Sequence, residues 1–516
     1  MNLSTVFRER LRKHSILLVL LGLLLLGLFL RIYDLGSESL WLDEVISSQI
    51  SSNDLAHAVK AYQVTDHPPL YFLCLHFWID LFGHSEPSMR FLSVIFGFLS
   101  IVMIYKMGAL LFEEKTALLG AFILAISSFG IRYSQEARPY GLVILLSLCS
   151  WYFLIDHVRK KRAVVFIGYI LSTAGLMYTH YFSCFILFAQ NVYIFTESIA
   201  SKKFTRGYLR KWFLAQGSLL FVYLPWIRIL SGEFVKMQKG YLWIPKPDFF
   251  SLIGSLKEYA GSAPLLAIFI LLLVLLVLSF NRAKGIKTMA EAFQSVKRRS
   301  LSLPKDAEGV YLLSLWFLLP LLIPFVVSQF SQSSIYWTRY TIEAMPAFYL
   351  LVAKGISSIK YSRARASVIV IIAALSLLSI YNYYIQVNKE QWRDAAEFVD
   401  TNAQLGDLVL FYAGFGQTAF DYYSKRPDLD KRPLTSFVAV CSGKGGKTLC
   451  LDVKGNKRIW VILYCPECKP VPSAVIKNML YASGKVSLLK KYYNPHYFNG
   501  KYSRIEIYFL SRPGRN

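Results

Sequence analysis

The sequence predicts a polytopic α-helical membrane protein of about eleven spans that ends in a small C-terminal α/β domain. Three observations predict it. Of 516 residues, 55% are hydrophobic and only 17% are charged, and the mean hydropathy is +0.41. Apolar runs of bilayer-crossing length recur along the first three quarters of the chain, since roughly 20 helical residues cross a hydrocarbon core. Beyond residue 388 the composition turns to that of a soluble fold.

The first apolar run, Ser15 to Leu30, is leucine-saturated and flanked by Lys13 and Arg31. It has no small-residue cleavage site behind it and many runs follow, so it reads as an uncleaved span rather than a signal peptide. The expected spans are 15–32, 90–111, 116–133, 139–156, 163–180, 183–198, 212–230, 264–280, 309–328, 341–356 and 366–386. Net charge is +25, but the basic residues fall in short clusters between apolar runs, which speaks for topology and against a nucleic-acid partner. "FRERLRK", "RKKR" (159–162), "SKKFTRGYLRK" (201–211), the 281–308 stretch and "KYSRAR" (360–365) lie on one side if the N-terminus is cytoplasmic. The opposite loop from Tyr33 to Met89 holds a single basic residue, Lys60. The positive-inside rule thus predicts a multi-pass cell-membrane protein with a cytoplasmic N-terminus and an extracytoplasmic C-terminal domain.

That domain is expected over 388–516, after a membrane domain of 1–387. "WRDAAEFVDTNAQLGDLVLFYAG" reads as an amphipathic helix, a turn at Gly406 and a buried strand. "KRIWVILYC" and "SRIEIYFLSR" read as strands, and "PSAVIKNMLYAS" as a helix. Its 20 Lys and Arg against 11 Asp and Glu, net +9, suit an anionic surface. It holds Cys441, Cys450, Cys465 and Cys468; disulfides or free thiols are expected, with pairing not readable from spacing. "CPEC" also has the form of a redox motif or half a zinc site, without further context for either.

Polar chemistry gathers in the outer loops. The first, about 57 residues long, contains "WLDEVISSQI", "TDHPPLYF" and "GHSEPSMRFLS", and loops of that length are commonly functional or structured; "DLAHAVKAYQ" within it reads as a surface helix. The second, "IRYSQEARPYGL", packs Arg132, Gln135, Glu136, Arg138 and Tyr140 into a turn; "YTHYF" places His180 in another; "SIYWTRYTIEAMPAFYL" sets Arg339 and Tyr340 at the start of a span. Each has an ordinary reading. Asp43 and Glu44 would suit a helix N-terminus, Arg138 and Arg339 would suit interfacial anchors, His67 a turn, and His180 an aromatic belt. These readings weaken jointly, because carboxylates, histidines and arginines recur at one membrane face in four loops. Such a set suits group transfer from a phosphate: a carboxylate deprotonates the attacking hydroxyl, and arginine forks hold the leaving phosphate.

"WLDE" after the first span, "DHPPLYF", "SEPSMRFLS", "YSQEARPYGL", "YTHYF" and "RYTIEAMPAF" together resemble the membrane-embedded GT-C glycosyltransferases, in the bacterial branch related to protein O-mannosyltransferases and the lipid A aminoarabinose transferase. The resemblance covers about residues 15–386 in the family's order. It implies an inverting enzyme that takes a sugar from a polyprenyl-phosphate donor, at the outer face of the bilayer, and passes it to an envelope glycan, lipid or protein. By the same resemblance Asp43 is the general base and Glu44 assists by orienting the acceptor or holding the loop. His67, Arg138 and Arg339 contact the donor phosphate, with His180, Glu136 and Tyr340 in the same substrate-binding set.

Two features depart from parts of the family. No inserted soluble domain of the eukaryotic O-mannosyltransferase kind is visible, and the only Asp-x-Asp is "DLD" at 428–430. A metal site like that of oligosaccharyltransferases is therefore not expected, and no cofactor is assigned, though a divalent cation near Asp43 stays open. Competing readings are a transporter or flippase of lipid-linked sugars, a sensor with an outer ligand-binding domain, and a ligase or polymerase using an undecaprenyl diphosphate donor. Internal repeats, common in transporters, are not visible.

Overall fold

The computed structural model describes residues 3–53, 68–201, 206–239, 244–284, 305–412, 414–434, 438–443, 446–451, 458–464, 485–494 and 503–511. The chain packs as two compact units. One comprises Met1–Tyr33, Ser51–Gly83 and Ser88–Tyr381, and the other Asp34–Ile50, His84–Pro87 and Asn382–Asn516.

The first unit is helical: α1 Leu3–Ile32, α2 Leu42–Ser52 (whose first turns belong to the second unit), α3 Leu70–Phe82, α4 Glu86–Leu111, α5 Glu114–Ala125, α6 Ser128–Ser134, α7 Tyr140–Lys160, α8 Ala163–Met177, α9 Ser183–Ser201, α10 Arg206–Gln238, α11 Phe249–Ala260, α12 Ala263–Lys284, α13 Lys305–Phe330, a 3-10 turn Thr338–Ala344, α14 Met345–Ser357 and α15 Ser362–Ile385. Among the described residues six helices are long and apolar enough to cross a membrane, in α1, α4, α7, α10, α13 and α15. The count rises to eight if the bent pairs α5–α6 and α11–α12 are single broken spans.

Each expected span has a helix, and three of these helices lie below the length-and-apolarity threshold over their described residues. α8 has 15 residues, about 22 Å of helix against a core of about 30 Å. α9 carries Gln190, Asn191 and Glu197 on its length, and Gln190 donates to Ser150 Oγ at 2.7 Å inside the protein. α14 has 13 residues, nearly all buried by neighbouring protein. The first outer loop also contains an unexpected apolar helix, α3, between Pro69 and Gly83. Exposed leucines such as Leu18 (67%) and Leu171 (67%) are what a lipid-facing surface requires.

In the second unit α15 leads, past Tyr381, into α16 Trp392–Asn402, β1 Leu408–Tyr412, α17 Phe415–Tyr423, β2 Asp430–Pro433, a β3–β4 hairpin (Val438–Gly443, Gly446–Leu451), β5 Arg458–Tyr464, β6 Lys485–Asn494 and β7 Ser503–Ser511. The five-stranded sheet has the order β2-β1-β5-β7-β6. β2, β1 and β5 run parallel, with Leu408 opposite Ile459, while β7 and β6 are antiparallel. Leu408, Leu410, Ile459, Val461 and Leu510 form its apolar core. Gly406 sits at φ 75°, the left-handed turn that lets the chain reverse from α16 into β1. The expected helix, Gly406 turn and strand are therefore present, as are the strands read from "KRIWVILYC" and "SRIEIYFLSR". "DLAHAVKAYQ", "PSAVIKNMLYAS" and "CPEC" lie outside the described residues. Cys74, Cys149 and Cys184 carry free thiols; the side chains of Cys441, Cys450, Cys465 and Cys468 are outside the described set.

Candidate functional site

The "YSQEARPYG" turn is held by a broken helix. α5 and α6 meet at 62°, and Ser127 caps α6, its Oγ accepting from Gly130 N at 2.9 Å. Breaking a helix leaves its last carbonyls without intrahelical donors. Arg31, at the end of α1 and wholly buried, supplies them: it donates to Leu124 O at 3.0 Å and Ala125 O at 3.2 Å, to Gly27 O at 3.0 Å on its own helix, and to Ser134 Oγ at 3.1 Å. Gln135 Nε2 answers by donating to Arg31 O at 3.1 Å and Tyr33 O at 2.8 Å. Close packing here demands glycine at 97, since a Cβ would stand 2.0 Å from Ser134 Oγ and 2.7 Å from Ser134 Cβ. Sequence reasoning took Arg31 for a flanking charge, and nothing local distinguishes the two roles.

This frame buries Glu136 and Arg138 and starts α7 at Tyr140. Glu136 pairs with Arg132 at 3.5 Å, and Arg138 N donates to Glu136 O at 2.7 Å. Ser93 Oγ, itself bonded to Tyr71 OH at 3.0 Å, reaches Arg138 O at 3.4 Å. Three loops then meet through their rings. The Tyr140 and His180 centroids are 6.2 Å apart, His180 and Tyr340 5.5 Å, and Phe182 and Tyr340 5.6 Å. The Arg339 guanidinium lies 5.5 Å from the Tyr340 ring centroid and 6.0 Å from that of Tyr140, within range of cation–π attraction. Phe182 N donates to His180 Nδ1 at 3.2 Å, so the neutral imidazole carries its proton on Nε2. Glu258, near the end of α11, interacts electrostatically with Arg132 and Arg339. It was missed in the sequence, where its only mark is an acid in the "KEYAG" join between apolar runs.

Glu136, Arg138, His180, Arg339 and Tyr340 thus all belong to the first unit, with Tyr140 linking their loops. Fixed arginine forks beside aromatic faces can hold a phosphate oxygen pair and turn an apolar or sugar face against the rings. Asp43 and Glu44 belong to the second unit. They form the first turn of α2, Asp43 half-buried and Glu44 fully buried, where carboxylates favour the helix N-terminus. Lys389 Nζ lies 3.2 Å from both oxygens of Glu44. His67 lies outside the described residues. Among the described residues no group of three or more His, Cys, Asp or Glu side chains could hold a metal ion.

Residues 66–227 match the dolichyl-phosphate-mannose-protein mannosyltransferase family. ArnT from Cupriavidus metallidurans in the apo state superposes with a TM-score of 0.54 at 10% identity, over 96% of this chain and 98% of that one. The same protein bound to undecaprenyl phosphate superposes with a TM-score of 0.52 at 10% identity, over 95% and 97%. No curated protein sequence matches the chain.

Proposed function

We propose, from a multi-pass membrane chain that has the GT-C fold and is related to the ArnT and protein mannosyltransferase glycosyltransferases, that this protein is an inverting glycosyltransferase using a polyprenyl-phosphate-linked sugar. The observation that carries the reading is the meeting of Arg339 with the Tyr140, His180 and Tyr340 rings, beside the buried Glu136–Arg138 turn. Undecaprenyl phosphate bound to the ArnT structure supports a ligand of that class here.

In the proposed reaction the acceptor hydroxyl gives its proton to the Asp43 carboxylate. Its oxygen attacks the anomeric carbon, the bond from that carbon to the phosphate oxygen breaks, and polyprenyl phosphate leaves with inversion. A single displacement needs one base and no carboxylate nucleophile. Arg138 and Arg339 offset the charge that develops on the leaving oxygen, and His180 Nε2–H is a further donor suited to a phosphate oxygen. The base assignment rests on the resemblance of "WLDE", which precedes the matched segment 66–227. Glu44, paired to Lys389, is proposed to hold the loop. The face of action is extracytoplasmic, with the N-terminus cytoplasmic, as the basic loops argue. A divalent cation is not part of the proposed step.

The test is transfer by purified protein from a labelled polyprenyl-phosphate sugar into an envelope lipid and glycan extract, with Asp43→Asn and Arg339→Ala alongside. Transfer reduced to a small residual rate by both variants is expected. Wild-type transfer by Asp43→Asn would remove the base assignment. Failure to consume any donor, with lipid-linked sugar crossing proteoliposome membranes instead, would favour a transporter.

A further inference from the structure

The second unit contains a buried charged cluster that the proposed reaction does not use. It ties the segment bearing Asp43 to residues about 350 positions later. Glu390 is its centre. Its Oε2 accepts from Leu42 N at 3.2 Å and Trp392 Nε1 at 2.7 Å, its Oε1 accepts from Tyr464 OH, and its backbone oxygen accepts from Ser39 Oγ at 2.6 Å. Lys389 holds Glu44 at 3.2 Å to each oxygen, and Glu44 Oε2 accepts from Trp41 N at 3.4 Å. Around this pair Leu40 N donates to Tyr423 OH at 2.6 Å, Arg393 Nη1 donates to Ser37 O at 3.2 Å, and Asn388 N donates to Glu38.

The pattern is selective. Leu40, Trp41 and Leu42 bring backbone N–H groups to the start of α2, and a helix start has donors without intrahelical acceptors. Two of the three acceptors, the Glu390 carboxylate and the Tyr423 hydroxyl, come from the C-terminal region; the third is Glu44, whose charge Lys389 balances. Glu390 is wholly enclosed (2% exposed), and its bonds from Tyr464 and Trp392 fix its plane. Enclosing a carboxylate costs stability unless its oxygens are hydrogen-bonded, and one of the bonds that satisfy Glu390 comes from Leu42 N. That bond sets the position of Leu42 N, one residue before Asp43.

We infer that Lys389 and Glu390 are positioning residues that hold the first turn of α2, and through it the Asp43 carboxylate, in its working geometry. The inference rests on the reading of Asp43 as the base. It makes the C-terminal region part of the catalytic apparatus. Catalysis requires the reacting groups to be held to within a fraction of an ångström, and a misplacement of about 1 Å costs roughly 100-fold. Asp43 sits on one short helix whose N-terminal turn is held by side chains from residues 389–464.

The experiment compares Glu390→Gln, Tyr464→Phe and the neutralised pair Glu44→Gln with Lys389→Met, each in the Asp43 and Asp43→Asn backgrounds. Rates are normalised to folded protein by donor binding. In the Asp43 background kcat is expected to fall about 10- to 100-fold, with KM for the donor within about twofold, because the donor is bound by groups the cluster does not hold. In the Asp43→Asn background the residual rate is expected not to fall further. Unchanged kcat in Glu390→Gln and Tyr464→Phe protein that binds donor normally would overturn the inference. So would a fall in the raw rate that disappears on normalisation to folded protein, or an equal fall in both backgrounds. If Asp43→Asn itself turns over at the wild-type rate, the base reading fails first, and the two failures are told apart by that single measurement.

Discussion

Lys389 and Glu44 form a buried ion pair across 345 residues of sequence, the ammonium 3.2 Å from both carboxylate oxygens with side chains 6% and 0% exposed. Removing one member of a buried pair leaves a charge with no counterion and costs about 3–5 kcal/mol. Lys389→Met is therefore expected to lower the melting temperature of the detergent-purified protein more than Glu44→Gln combined with Lys389→Met. A double variant no more stable than the single one would contradict the pairing.

Arg339 is expected to be irreplaceable by lysine for donor binding. Its planar guanidinium lies over two tyrosine rings, and a compact ammonium cannot both stack and offer a bidentate fork. Arg339→Ala should weaken polyprenyl-phosphate binding by roughly 10- to 100-fold, with Arg339→Lys recovering only part of it, as read by titration with the lipid phosphate alone. Tyr140→Phe, which keeps the aromatic face, should bind nearly as the parent does, whereas Tyr140→Leu should lose about 0.5–1 kcal/mol.

Arg31 and Gly97 should behave as one structural joint. Arg31→Met leaves the α5 carbonyls Leu124 O and Ala125 O without their donor, at about 1–3 kcal/mol for each buried group left unsatisfied. Gly97→Ala forces a Cβ into Ser134 and is expected to cost about 1–3 kcal/mol by overpacking. Both should lower thermal stability and donor affinity together, because the same joint carries Glu136 and Arg138. Because the two act on shared partners, their double variant is expected to lose less than the sum.

Glu390 predicts a pH dependence. Burial raises its carboxyl from the ordinary range to about 7, Asp43 adds to the rise, and the hydrogen bonds from Tyr464, Trp392 and Leu42 oppose it. Lys389 and Glu44 carry the neighbouring buried charges. A carboxyl with a raised folded value binds its proton more tightly in the folded state. Stability is thus highest below the unfolded value and falls as pH rises toward about 7, then levels off. Melting temperatures measured from about pH 5 to about pH 8 should fall for the parent and fall less for Glu390→Gln; equal slopes would contradict the assignment.

The membrane spans were legible because bilayer crossing is written locally, as runs of apolar residues with basic clusters between them. The α16–Gly406–β1 order was legible for the same reason, a period-3.6 pattern giving way to a glycine and then a continuous apolar strand. Two of the expected spans carry a weaker local signal in the described residues, because α9 hides polar residues among apolar ones and α14 is short yet covered by protein. Windowed apolarity cannot separate a helix facing lipid from one facing other helices. The loop motifs "YSQEARPYG", "YTHYF" and "RYTIEAMP" could be picked out by their residue types, but nothing in them says that the His180 ring lies near both Tyr140 and Tyr340 and that Arg339 lies over those two tyrosines.

The sequence by itself determined the helical membrane class, the α/β character of the C-terminal region and the stretches in which polar chemistry lies, because each depends on neighbours along the chain. Only the tertiary structure decided that α5 breaks at Ser127, that Arg31 is a buried carbonyl donor rather than a flanking charge, and that residues 34–50 pack with 382–516. Those facts arise from hydrogen bonds and ion pairs between positions some 90 to 350 residues apart, such as Arg31 with Leu124 and Lys389 with Glu44. Such pairs have no periodicity or spacing to read. They exist because the fold buries polar groups, and each buried group must then find a partner wherever the chain brings one.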